Sequence, residues 1–510
     1  MKKFLLFLLV FTLVSLFAFN CLAQTTMMGD KDKYGGTLKI ATNKKVSIFG
    51  WPPEVRSSSG RFAKMSLQGL VAAGEGGNPG PLLATTWELA PDDSKYTFKL
   101  RKGIKFHDGS DFNAQAVQWN LNNILNSRSP VLSGVKSVDV IDDYTVQLSL
   151  KKWTNLILHD LTGAPCYMIS PTAFEKHDKK WTETNPIGTG PFKFTEFKRD
   201  VHVKYEKFDG YWEKGLPYLD AVEWHIIINP MTAYATLKAK EVDVMFDLDM
   251  VSGRDLKKEG NYNVRWIPGV NSLIAVNTKD PNAMFSDKRL REAVEYAIDK
   301  ESICKNLGYG FMNPIYQIIN RGPGVPDSVK RKYNPEKAKQ LMAEAGYPNG
   351  LKTAIIMLEF LPRDTMGALQ NQLAKVGIEL EMQYLAPPAY RQLSLEGGIG
   401  DRMIVGVAPG GVFPLFQANS HLSSKSPNRA DTRRTPGWDD LIEQAMQQKD
   451  MGKVNSILQK MERLAYDDVM LIPLWPEPMI LGYHPSVKDA EWYLHGTPDY
   501  DLKRAWFSKK

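Results

Sequence analysis

The chain has 510 residues and a formal net charge of +7, a small excess spread along the sequence rather than gathered in a basic block, which argues against a nucleic-acid partner. Its three cysteines are Cys21, Cys166 and Cys304. They are too few and too far apart for a disulfide framework, so stability must come from burial, and the length implies two or three domains.

Lys2 and Lys3 precede an apolar stretch from Phe4 to Phe19, followed by Cys21-Leu22-Ala23-Gln24. This is the layout of a cleavable secretory signal over residues 1–23, with a small residue at the cut. A lipid anchor would put Cys21 at the new N-terminus. That requires small residues before the cysteine, and Phe19 and Asn20 stand there, so cleavage after Ala23 is expected. The apolar run falls short of the ~20 residues of a spanning helix, and no later stretch reaches it. The expectation is an exported, periplasmic protein.

In GGTLKIAT, Leu38 and Ile40 alternate with polar neighbours as in a half-buried strand. YTFKLRKGIKF (96–106) and YTVQLSLKK (144–152) repeat the alternation. Between them AQAVQWNLNNIL reads as a helix, with Val117, Leu121, Ile124 and Leu125 at helical spacing and Asn113 as its cap. The segment GEGGNPGP, 74–81, is the clearest surface turn. Further on, DKRLREAVEYAIDKESI carries an apolar stripe, and NPEKAKQLMAEAGYP is a helix with Asn334 at its N-cap and Gly346 at its C-terminal stop. A strand (TAIIMLEF), a helix around 365–376, a second strand (IELEMQYL) and the run Met403 to Val407 follow. Strands alternating with helices predict an open α/β sheet with crossover connections, whose ligands sit beyond the carboxyl ends of the strands.

No G-x-S-x-G, H-E-x-x-H, C-x-x-C or G-x-x-x-x-G-K motif occurs, and the eight histidines never pair at helical ligand spacing. Carboxylate pairs such as Asp92-Asp93 and Asp439-Asp440 sit at turns or helix starts, where capping is their ordinary role. No catalytic residue, metal ligand or cofactor is assigned. Aromatic surface is plentiful, with 12 Trp, 20 Tyr and 22 Phe, and becomes a recognition candidate where it falls in a loop bounded by Pro or Gly. Three places qualify: Phe49 to Pro53, Gly411 to Pro414, and Leu474 to Pro476.

Residues 83–117, 185–200, 211–227, 237–248 and 274–303, in this order behind a signal, resemble the large extracellular solute-binding proteins of family 5, the oligopeptide, dipeptide and nickel binders of ABC importers. The motifs KFHDG and NPIGTGPF are among those that carry the resemblance, and both read physically as scaffold turns. The resemblance implies an α/β, type II periplasmic-binding-protein-like fold: two lobes closing on a central cleft, plus an extra α+β domain. Lobe I would comprise 24–56, 187–279 and 485–510, the extra domain 57–186, and lobe III 280–484. Hinges would lie near 271–277 and 476–485. It further implies capture of a small organic solute, delivery to a permease and ATPase complex in the inner membrane, and a monomer without enzymatic activity.

In peptide-binding relatives the loop matching 403–416 carries a carboxylate that pairs with the peptide's ammonium. Here Val407, Ala408, Pro409, Gly410, Gly411 and Val412 supply none. An ammonium buried without a counter-charge costs several kcal/mol, so the loop disfavours a standard free-amine peptide. The expected ligand wall is Val407, Pro409, Gly410 and Phe413, faced by Trp475 and by Phe49 with Trp51, together with Asn271 and Phe360; Arg363 and Arg402 are candidates for a bidentate grip on a carboxylate. Two alternatives stay open. A nickel-chelate or other metal-complex receptor would need a histidine in the cleft, with His421 and His484 near candidate loops. An exported hydrolase on a similar scaffold would consume its ligand.

Overall fold

The computed structural model describes residues 30–55, 57–74, 78–127, 129–319, 326, 329–408, 413–493 and 499–508; at 30, 31, 57, 58, 407 and 408 only the backbone is described. The leading signal, Cys21, the tip of the 74–81 turn and residues 409–412 of the opposed loop lie outside this set. Around that turn, Val71–Ala73 and Pro79–Pro81 pair as two short strands.

A ten-stranded sheet runs through the molecule. Its strands, in chain order, are β1 (Thr37–Thr42), β6 (Phe192–Lys198), β7 (His202–Lys207), β8 (Ala221–Ile226), β9 (Val244–Leu248), β10 (Asn263–Val276), β11 (Leu351–Leu358), β12 (Ile378–Leu385), β13 (Met403–Ala408) and β14 (Ile472–Tyr483). The labels β2 (Ala84–Leu89), β3 (Lys95–Leu100), β4 (Val135–Asp142) and β5 (Thr145–Leu150) belong to a separate four-stranded antiparallel sheet in the order β2-β3-β5-β4. The large sheet has the order β12-β11-β13-β10-β14-β9-β1-β8-β7-β6.

Two long strands, β10 and β14, cross from one half of this sheet to the other. Their antiparallel register runs from Asn263 opposite Tyr483 to Ile274 opposite Ile472, and it slips between Pro268 and Asn271 and again between Ser272 and Leu273. The break falls where Pro473, Pro476 and Pro478 interrupt β14, since proline donates nothing to a ladder and is tolerated in sheets at irregularities. Gly269 sits in the break, where a Cβ would come within 2.4 Å of the Glu477 carbonyl oxygen, a distance only glycine permits. The first slip lies just before the expected hinge at 271–277, and the β14 side of the break, 473–478, ends at the start of the second expected interval.

The helices cover both faces of the sheet. Asn113 accepts from the Ala116 N–H at 2.9 Å to start α2 (Ala114–Leu125), a cap that contributes about 1 kcal/mol. The helix buries Val117, Leu121 and Ile124 with Phe98, Val138 and Leu148 of the four-stranded sheet, the core of the extra domain. In the opposing lobe α6 (Pro335–Glu344) is capped by Asn334 as the sequence implies, and Gly346 takes φ +94° just beyond its end. Cys166 and Cys304 are both buried and unpaired thiols.

Candidate functional site

The strand directions define the site. β1 and β9 run parallel to each other, β9 is antiparallel to β14, and β14 is antiparallel to β10, which is in turn antiparallel to β13. The carboxyl ends of β1 and β9 therefore point from one lobe toward the register break, and those of β11 and β13 point toward it from the other. The residues that leave these ends enclose a cavity of about 490 Å³. One lobe contributes Asn43, Lys44 and Asp247 to Val251; the other contributes Phe360, Leu361, Asp364 and Thr365; the crossing strands contribute Val270, Glu477 and Met479.

Two of the carboxylates in the cleft are engaged. Asp247 receives the Arg61 guanidinium at 2.9 Å and the Thr42 hydroxyl at 2.8 Å. Burial pushes its carboxyl up, but Arg61, Lys44 and the hydrogen bonds outweigh this and hold it below the usual carboxylate range. Asp249 caps α4 (Met250–Glu259), accepting from the Ser252 N–H at 2.8 Å. Glu477 is different. It accepts from the Ser272 hydroxyl at 2.7 Å, has no cationic partner among the described residues, and is pushed above the ordinary glutamate value by burial. Met250, Val251, Leu361, Met479 and the 64% exposed Phe360 give the cleft apolar wall, Asn43, Lys44, Asp364 and Thr365 add polar groups to it, and the Glu477 carboxyl, bonded to Ser272, lies on its floor.

The sequence candidates scatter. Phe360 lines the cleft. Asn271 is buried on β10 opposite Ala408 and Pro476, its amide nitrogen without a partner. Arg363 starts α7 (Arg363–Ala374) and lies 4.2 Å over the Tyr384 ring. Arg402 is spent on the backbone, donating to the carbonyls of Ile399 and Gly398 at 2.9 Å each. Val407 pairs through its backbone with Ser272; Pro409 and Gly410 lie outside the described residues.

Four aromatic expectations need correction. Phe49 is fully buried with Phe194 and Phe197 around it, and Trp51 stacks on Phe174 with ring centroids 5.0 Å apart. Trp475 is fully buried in the core of the opposing lobe beside Leu474 and Ile472. Each has an apolar surface better satisfied by neighbouring side chains than by a cleft wall. Phe413 is also buried, facing His159 of the extra domain at 5.6 Å between rings, so it packs at a domain contact. Neither His421 nor His484 lines the cleft; His421 bonds Ser420 at 2.6 Å and His484 lies against the Tyr262 ring.

Glu477 was not among the sequence candidates. A glutamate between two prolines reads as solvent-facing, and its one signal is position: WPEP interrupts an otherwise apolar strand, IPLWPEPMILGY, that must cross the molecule.

The comparisons agree with this architecture. A glutathione-binding protein, GsiB, of Shigella dysenteriae is 29% identical over 446 residues, covering 83% of this chain and 86% of the relative. Among solved structures, the periplasmic binding protein DppA of Helicobacter pylori in complex with the peptide STSA superposes with a TM-score of 0.77 at 22% identity, covering 94% and 99% of the two chains. NikA of Brucella suis in complex with Fe(III)-EDTA gives 0.80 at 23% identity, covering 91% and 99%. The pattern of the bacterial extracellular solute-binding proteins, family 5, matches residues 78–428, and with two lobes meeting over a pair of crossing strands the chain belongs to that family.

Proposed function

We propose that the chain is the periplasmic receptor of an ABC importer and captures a small organic solute, with an apolar body and one hydrogen-bond-donating group, between the β1/β9 and β11/β13 strand ends. The observation that carries this reading is the Glu477 carboxyl, without an ion-pair partner among the described residues, on the floor of a cleft that both lobes line with apolar side chains beside Asn43, Lys44, Asp364 and Thr365. A solute that touches both lobes binds the closed form better than the open one, and that difference is what shifts the population toward closure. The closed form is then handed to the permease and ATPase complex. The domain division supporting it is 24–56 with 187–279 and 485–510, against 280–484, with 57–186 as the extra domain.

Residues 403–413 carry no acid, so a standard peptide held by its ammonium at that loop is not the expected cargo. Among relatives of known ligand the range is wide, from glutathione to peptides to a metal chelate. The nickel-chelate alternative would need a histidine in the cleft, and the described residues lining it include none.

The test is to extract the protein gently, identify the copurified small molecule by mass spectrometry, and add it back to stripped protein. The reading expects a raised melting temperature with the solute recovered intact, and about tenfold weaker binding by Glu477→Gln, the loss expected for one hydrogen bond to a charged group. Turnover of the solute would instead favour the hydrolase reading. Binding unchanged in Glu477→Gln would remove the carboxyl from the account.

A further inference from the structure

A second cavity lies away from the cleft, within the opposing lobe. It has a volume of about 330 Å³ and is lined by Ala275 of β10, Ile404 and Gly406 of β13, Tyr390 of α8 (Pro387–Glu396), His421 and the segment 428–432. Arg429 stands on its wall. This arginine is 8% exposed, its Nε has no hydrogen-bond partner, and among the described residues no carboxylate pairs with its guanidinium.

That arrangement is costly without a ligand. Burial outweighs the favourable contribution of Tyr390 and lowers the proton affinity of the Arg429 guanidinium. A buried, uncompensated cation is among the least favourable groups in a folded chain. The neighbours do not relieve it. His421 is lowered to about 4 by burial and by the Arg429 charge, so it is neutral at pH 7. Tyr390 spends its hydroxyl on the Val405 carbonyl at 2.9 Å. Asp431, the carboxylate on the cavity wall, accepts from the Ile399 N–H at 3.0 Å and makes no ion pair with Arg429.

The position is also held in place. Arg429 has φ +57°, the left-handed region that non-glycine residues rarely occupy. The loop that imposes this is pinned by Arg434, whose guanidinium donates to the carbonyls of Leu422 at 2.9 Å and Asn428 at 2.7 Å, and also to those of Arg429 and Thr432. Gly406 makes the space: a Cβ there would stand 3.2 Å from Nη2 of Arg429 and 3.3 Å from the Tyr390 oxygen. The far side of the same segment borders a hollow lined by Lys279, Arg433 and Arg434 together with Asp439 and Asp440.

From these observations we infer that the cavity under Gly406 is a binding site for a small organic carboxylate, with Arg429 as the residue that receives it. A carboxylate matches the planar fork of a guanidinium, and Ile404, Ile399, Leu393 and Ala275 offer apolar surface to a short carbon body. Every lining residue belongs to 275–432, so binding here does not require closure of the cleft, and the site stands or falls independently of the importer reading.

The experiment titrates the whole purified protein with acetate, butyrate, hexanoate and benzoate, and with inorganic phosphate, following heat and melting temperature. The expected result is saturable binding of at least one monocarboxylate in preference to phosphate, at least tenfold weaker in Arg429→Gln, intermediate in Arg429→Lys, and unchanged in Glu477→Gln. Without ligand, Arg429→Gln should melt no lower than the parent, because it removes an unpaired buried charge, and this shows that lost binding is not lost folding. No saturable carboxylate binding, a preference for phosphate, or equal binding by Arg429→Gln would each overturn the inference. Loss of carboxylate binding in Glu477→Gln would place the ligand in the cleft and overturn it as well.

Discussion

Buried ionisable groups divide here by whether they have a partner, and the difference predicts pH behaviour. Glu462 on α10 (Met451–Asp468) is buried and, among the described residues, accepts the backbone N–H groups of Ile318 at 3.0 Å and Ile319 at 2.7 Å with no cationic partner. Burial outweighs these bonds and raises its carboxyl to about 8. Between the ordinary glutamate value and about 8, the native protein keeps a proton that the unfolded chain releases, so this group costs stability progressively as pH rises through that window. The slope from one such group approaches about 1.4 kcal/mol per pH unit. Glu462→Gln is therefore expected to flatten the fall in melting temperature between pH 5 and pH 8 in a thermal scan. A parallel fall in both proteins would show that Glu462 is not its source. Asp247, with Arg61 against it, has the opposite sign and loses its contribution only as pH falls through its lowered value.

At the scale of elements, the extra domain reaches across to the opposing lobe. Asn155, beside α3 (Leu156–Asp160), donates its side-chain amide to the carbonyls of Ala445 and Gln448 at 2.9 and 3.0 Å, and its backbone N–H to Met446 at 2.9 Å, at the end of α9 (Trp438–Met446). Lys152 pairs with Glu443 at 2.7 Å nearby. These contacts bridge parts of the chain that the hinge strands would separate on opening. Asn155→Ala removes two hydrogen bonds, about 1 kcal/mol each, and should shift the population toward an open form, seen as weaker solute binding and a larger radius of gyration in solution scattering. An unchanged radius with unchanged affinity would show that the contact does not hold the closed form.

The elements were more legible than the site. Period-two alternation located β1, β3 and β5, and capping residues marked α2 and α6, because those signals are local. The helix expected around 365–376 spans Arg363–Ala374, a shift of two residues at each end where caps are weak. Site residues depend on which side chains a distant element covers. Trp51 looked like an exposed loop aromatic, yet Phe174 and Trp119, more than sixty residues away in sequence, enclose it. Glu477 and Arg429 gain their character from having no ion-pair partner among the described residues, which no local pattern records.

For the molecule as a whole, one continuous sheet serves two lobes, and among the described residues the strands shared between them are β10 and β14. The register break at 268–273 is where those strands are least constrained by ladder hydrogen bonds, so rotation is cheapest there, directly beneath the cleft. In the proposed closure, recognition and motion would meet at the same residues. The most direct test is a crystal structure of the protein with its copurified solute. The account predicts the solute enclosed between residues 43–44 and 247–251 on one side and 360–365 on the other, with a donor atom within about 3.2 Å of the Glu477 carboxyl. A solute bound on one lobe alone, or enclosed with Glu477 untouched, would contradict it.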